Sequence, residues 1–122
     1  MTFEERIEEK NEQIKEITTF IENFKRRGDR QKIEEFFLNG CCYWFMRILD
    51  ERFGRQGQFL YDIKNNHFVY YFPQLNDAVF DIRGYLGSAR EQDADYEYWD
   101  KYVYCDPLHY SRIVNNCVNL ET

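Results

Sequence analysis

Apolar side chains recur at helical spacing at the start of the chain, where Phe3, Ile7, Ile14, Ile17, Ile21 and Phe24 form one stripe broken at Lys10. The pattern predicts a long amphipathic helix over Phe3 to Arg27, ended by basic Arg26 and Arg27 and by Gly28, which accepts positive φ. About 24 residues at 1.5 Å each make roughly 36 Å, more than a small domain needs to cover its core. The stripe therefore either packs on the domain's own core or pairs part of residues 3–24 with a second copy or a partner, as in a homodimer.

Asp29 is placed to cap a short helix carrying Ile33, Phe36 and Phe37 inward, with Asn39 and Gly40 at its end. A third helix opens at Cys41 or Cys42 and runs to about Phe53. Cys42, Phe45, Leu49 and Phe53 share one face, Arg47, Asp50 and Glu51 lie largely away from it, and Gly54 closes it. The period then shortens to two. Gln58 to Ile63, His67 to Phe72 and Ala78 to Ile82 are rich in β-branched and aromatic residues and are separated by turn formers, predicting an antiparallel three-stranded meander. Arg83 to Gly87 leads into an irregular stretch, and Asp106 with Pro107 opens a last helix over 107–120, with Leu108, Ile113, Val114 and Cys117 inward. No internal repeat or linker interrupts the chain. The expectation is a single α+β domain over 1–122: N-terminal helices, including a Cys-bearing helix, packed on a three-stranded antiparallel sheet, with a C-terminal helix.

Composition narrows the classes of function. Hydrophobic residues are 43% and aromatics 19% of 122 residues, which excludes disorder and lets a core form without disulfides or structural metal. Acidic side chains number 22 against 16 basic, and the formal charge of -6 argues against direct binding of a nucleic-acid backbone. No apolar run approaches the roughly 20 residues of a membrane span. The charged start, from Glu4 to Lys10, is unlike a secretory leader, so a cytoplasmic protein with no membrane partner is expected. Cys41, Cys42, Cys105 and Cys117 then remain free thiols; Cys105, His109 and Cys117 fit no familiar zinc spacing, and neither metal nor cofactor is expected.

One constellation could carry chemistry. A thiol at the start of the third helix meets free N–H groups and the positive end of the helix dipole, which favour thiolate. His67 begins the second strand and Asp81 lies near the end of the third; as hairpin neighbours these strands would set the carboxylate beside the imidazole. At these residues the chain resembles the papain-like and transglutaminase-like cysteine enzymes, in which a Gly-x-Cys-aromatic run opens a helix packed on an antiparallel sheet that supplies His and then Asp or Asn. Gly40, Cys42, Tyr43 and Phe45 match the helix opening and select Cys42 over Cys41. His67 in His-Phe-Val-Tyr-Tyr-Phe matches the histidine strand, and Asp81 in Val-Phe-Asp-Ile-Arg-Gly matches the acid. The resemblance covers about residues 36–84. It implies a small acyl-transfer or amide-hydrolysing enzyme without cofactor, acting on a peptide or other amide: Cys42 attacks a carbonyl, His67 takes and returns the proton, and Asp81 holds the ring. No glutamine stands just before Cys42 to serve as the side-chain oxyanion donor of papain relatives, which leaves backbone N–H groups for that role.

The excess of negative charge is local. Glu91 to Asp106 holds six acids and Lys101 as its one base, and so accounts for five of the six net charges. Within it Asp93, Asp95, Tyr96, Glu97, Tyr98, Trp99 and Asp100 alternate acid with aromatic, a composition suited to a basic protein partner. Size, acidity and this organisation also look like the small inhibitors that phages encode, anti-CRISPR proteins among them. The alternative function is therefore a non-catalytic counter-defence protein acting in the host cytoplasm on a basic partner.

Overall fold

The N-terminal stripe folds as α1 (Phe3–Lys25), opened by a capping box in which Thr2 Oγ1 accepts from the Glu5 N–H and the Glu5 carboxylate accepts from the Thr2 N–H, both at 3.2 Å. The computed structural model describes residues 2–38 and 42–101. Along α1 the two expectations for the stripe divide by position. Ile17, Phe20, Ile21 and Phe24 are buried in the domain's own core, whereas Phe3 is 77% exposed and Ile7 stands clear with it. Lys25 is buried at the far end, where its ammonium lies 3.2 Å from Glu22 and 2.9 Å from Glu34 and ties α1 to α2 (Arg30–Leu38).

Asp29 caps α2 as expected, its Oδ1 accepting from the N–H groups of Gln31 at 3.1 Å and Lys32 at 3.3 Å. Only one of the two adjacent phenylalanines faces inward. Neighbouring helical positions point about 100° apart, so Phe37 packs against Phe24 and Phe45 while Phe36 is left 52% exposed, contrary to the expected inward pair. The third helix, α3 (Cys42–Arg52), buries more than one face. Phe45, Met46, Ile48 and Leu49 are fully enclosed, and Arg47 and Asp50 are buried with them rather than pointing away. Layers on several sides of α3 remove the polar face that a single stripe would leave.

The sheet is larger than the expected meander. The three predicted strands are present as β1 (Gln58–Asp62), β2 (His67–Phe72) and β3 (Ala78–Asp81), and β4 (Gly84–Ser88) and β5 (Tyr96–Trp99) join them in the order β4-β3-β2-β1-β5, all pairs antiparallel. β4 falls where the chain was expected to lead out of the sheet, and β5 within the stretch expected to be irregular. Gly84 and Gly87 take φ of 111° and 104°, which breaks the run of β-formers in β4. The acids of β5 disguise a strand that pairs with β1 across a long sequence separation. The predicted helix at 107–120, and with it Cys105, His109 and Cys117, lies outside the described residues, as does Cys41.

Alternation divides the sheet into two faces. Phe59, Phe68, Tyr70, Phe72, Ala78 and Phe80 meet the helices in the main core. Leu60, Val69 and Val79 form a second, smaller cluster on the opposite face, covered by Tyr71, Leu86, Ala89 and Tyr96. Joining β4 to β5 takes the chain from one edge of the sheet to the other, and it packs Ala89 and Tyr96 on this second face. No helix among the described residues is long and apolar enough to cross a membrane.

Candidate functional site

Strand ends β1, β2 and β3 gather polar side chains on the face away from the helices. Asp62, last in β1, faces His67, first in β2, in the register. Asp62 is buried, and its carboxylate accepts from Asn65 Nδ2 at 2.6 Å, the Asn65 N–H at 3.1 Å and the Asp95 N–H at 3.3 Å. Burial alone would raise its pKa. The hydrogen bonds from Asn65 and Asp95 outweigh burial and hold the carboxyl below its ordinary value. These bonds also fasten the entry to β5, where the Asp95 carbonyl accepts from the Ile63 N–H at 2.8 Å.

The structure brings His67 and Asp81 together, with Nε2 3.7 Å from Oδ2. The principal partner of Asp81 is nevertheless Arg83. Asp81 Oδ1 accepts from the Arg83 N–H at 2.7 Å in the tight turn between β3 and β4, and the guanidinium Nε lies 3.0 Å from Oδ2 and 3.2 Å from Oδ1. Those bonds from Asp81 hold the Arg83 pKa above its ordinary value. Arg83 Nη2 also lies 3.4 Å from His67 Nε2, and His67 Nδ1 lies 3.4 Å from the Asn65 carbonyl. His67 Nε2 thus stands between a guanidinium, which only donates, and a carboxylate, which only accepts.

Cys42 occupies a different layer. It is 9% exposed within the helix-side core, whereas His67 and Asp81 share the alternation of Val69 and Val79 on the other face. Among the described contacts none joins Cys42 to either residue. The start of α3 does reach the same end of the sheet, because Tyr43 packs on Phe68 at 5.7 Å between ring centres, and Leu38 at the end of α2 shares a cavity wall with His67. Among the described residues no three His, Cys, Asp or Glu side chains converge as metal ligands.

That cavity, of about 480 Å³, runs from His67 and Arg83 to the acidic segment and includes Asp62, Asn65, Gln92, Asp93 and Tyr96 in its wall. Sequence reasoning singled out His67, Asp93 and Tyr96 there, and missed Asp62, Asn65 and Gln92. The signal for Asp62 and Asn65 was the Asp-Ile-Lys-Asn-Asn-His run between β1 and β2, which marked a turn but not the long-range bond to Asp95.

The acidic-aromatic segment supplies the strand β5 and its entry. Asp93, Asp95, Glu97 and Asp100 are exposed, and Tyr98 is 66% exposed. Tyr96 covers the second face, and burial, reinforced by the charges of Asp62 and Asp81, pushes its hydroxyl up to about 12. Trp99 turns the other way and packs on Tyr61 and Phe68, so it belongs to the helix-side core rather than to an outward partner surface. Lys101 also turns inward: its ammonium reaches Asp50 Oδ1 at 2.8 Å and the Arg55 carbonyl at 3.2 Å. Asp93 pairs with exposed Lys64.

The chain matches no protein-family model, no curated protein and no solved structure. Its resemblance to cysteine enzymes therefore rests on Gly40, Cys42, Tyr43, Phe45, His67 and Asp81 themselves.

Proposed function

We propose that the protein is a non-catalytic binding protein that occupies a basic protein surface through its acidic-aromatic edge. The observation that carries this reading is the arrangement at β5: Asp93, Asp95, Glu97, Asp100 and Tyr98 are exposed, the segment's own base, Lys101, is committed to Asp50 in the interior, and Lys64 from the β1–β2 turn meets Asp93. Carboxylates on an open surface steer a basic partner, and a tyrosine among them adds contact area at small entropy cost. A groove that holds nucleic-acid backbone is such a partner surface, and the reading is that of a small phage-type inhibitor acting in the host cytoplasm. The test is parallel capture with wild type and a variant carrying Asp93→Asn, Asp95→Asn, Glu97→Gln and Asp100→Asn. A partner held by the wild type is expected to associate about tenfold more slowly, or not at all, with the variant, and less well at higher salt. Equal capture by both proteins removes the proposed surface.

A second reading, a thiol-dependent acyl-transfer or amide-cleaving enzyme using Cys42, His67 and Asp81, has one observation in its favour. The strand arrangement sets His67 3.7 Å from Asp81 at the end of the sheet where α3 begins. It requires the Cys42 thiol to reach the ring around the end of β2. Iodoacetamide alkylation across pH decides it. Fast, acid-shifted modification that is slowed by His67→Ala supports the enzyme, and slow modification indifferent to His67 rejects it.

A further inference from the structure

The cavity between His67 and Tyr96 has a distinctive balance of hydrogen-bonding groups. Both hydrogens of the Asn65 amide are committed, to Asp62 Oδ2 at 2.6 Å and to the Asp93 carbonyl at 3.1 Å. Those of Gln92 go to the carbonyls of Leu86 at 2.6 Å and Ser88 at 3.3 Å. What these two wall residues retain is a pair of carbonyl oxygens, which only accept. Asp62 and Asp93 add carboxylates to the wall, and Asp81 stands behind it against His67 and Arg83. The cation in the wall is Arg83, already bound by Asp81, with Lys64 on Asp93 at the rim. Three carboxylates against Arg83 and, at the rim, Lys64 leave the space acceptor-rich and net negative. Half-buried Tyr96 supplies an aromatic ring beside these acceptors.

We propose that this cavity takes the guanidinium of an arginine side chain from the basic partner, a proposal that rests on the binding function above and gives that surface its anchor. A guanidinium is planar, offers five donors to several separate acceptors and stacks on an aromatic ring, whereas an ammonium is a compact point charge. The volume exceeds what one side chain fills, so the adjoining backbone of the partner enters as well. Exposed Lys64 is the internal competitor for Asp93, and surface pairs of this kind are weak enough for a partner to displace.

The experiment titrates the full chain with Nα-acetyl-arginine methylamide and follows the ring resonances of His67 and Tyr96 by NMR, with the lysine and glutamate analogues as controls. Saturable shifts at both rings with the arginine probe, weaker ones with lysine and none with glutamate are expected. Tyr96→Leu should weaken the arginine probe about two- to fivefold through loss of the cation–π contact. Ala94→Trp, which fills the cavity from the half-buried wall position before β5, should abolish the shift while leaving the folded spectrum intact. Absent shifts, an equal response to the lysine or glutamate analogue, or undiminished binding to Ala94→Trp would each overturn the proposal. If the four-site neutral variant loses the captured partner but Ala94→Trp keeps it, the arginine pocket fails while the binding function stands. Retention of the partner by the neutral variant is instead a failure of the function itself.

Discussion

Tyr70→Phe removes one oxygen from a fully enclosed polar contact. The ring is fully buried; its hydroxyl donates to Asp50 Oδ1 at 2.6 Å and accepts from the Gly57 N–H at 3.0 Å. Loss of a hydrogen bond to a charged acceptor costs about 1.5–3 kcal/mol, and a buried donor left unsatisfied costs about 1–3 kcal/mol more. Lys101 still reaches Asp50 Oδ1 at 2.8 Å, so the carboxylate keeps its charge partner, while its Oδ2 already lies buried with no hydrogen-bond partner. A net loss of about 3–5 kcal/mol follows, against the 5–15 kcal/mol typical of a domain. In urea this moves the midpoint down by about 2 M at an ordinary slope. The phenylalanine ring refills the same space, so no cavity contributes. A loss below about 1 kcal/mol with an unchanged slope would refute the account of this network.

The same variant has a signature in alkali. Burial, followed by the hydrogen bond to Asp50 and its charge, raises the Tyr70 pKa above the ordinary 10.0. A group raised in the folded state gives stability that is complete below the unfolded value and is lost as pH rises beyond it. Wild-type stability should therefore fall above pH 10.0 more steeply than that of Tyr70→Phe, narrowing the gap between them. Tyr71 and Tyr96, also raised, contribute equally to both proteins. Parallel alkaline limbs would show that the Tyr70 hydroxyl is not held in this way.

Four further variants probe other parts of the fold. Asp62→Asn should cost about 1.5–3 kcal/mol and speed amide exchange at Ile63 and along β5. Because the Asp62 pKa is lowered, its stabilisation is complete above pH 3.8 and is lost as pH falls below that value, so the acid limb of the variant should be flatter. Gly57→Ala places a Cβ 2.5 Å from the Tyr70 ring, and thermal or urea unfolding should show a loss of about 1–3 kcal/mol. On α1, Ile21→Ala should cost about 2–5 kcal/mol, whereas Phe3→Ser with Ile7→Ser should cost less than about 1 kcal/mol. A comparable loss from the exposed pair would mean that the overhanging turns are covered in solution, which the mass of the particle would reveal.

The helices were legible because their apolar stripes and caps are local. Asp29 bonds N–H groups two and three residues on, and its capping role follows from residue type and spacing. Burial of Arg47 and Asp50 was not legible, because a stripe identifies the strongest apolar face and says nothing of a second layer behind it. Their surroundings are set by Tyr43, Tyr70 and Lys101, and the latter two lie far from α3 in sequence. The missed strands have the same explanation. Glycines interrupt β4, and the pattern of β5 becomes a strand only through its register with β1.

The site was legible in part for a related reason. Chain order and hairpin connectivity were sufficient to bring His67 near Asp81, but they do not decide a face. That decision belongs to parity within the strand: Phe68, Tyr70 and Phe72 meet the helices, so His67, Val69 and Tyr71 turn the other way. Asp81 follows Val79 to the same side, where Asp62 ends β1 and Tyr96 begins β5. The alternation that identifies β2 as a strand thus joins the imidazole to the acidic edge and leaves the thiol of α3 in the opposite layer. Had the histidine stood one position later, it would have faced Tyr43 and the start of the helix. At position 67 it lines the space bounded by Arg83, Asp93 and Tyr96, and this shared space is why the acidic edge, rather than the thiol, carries the functional reading.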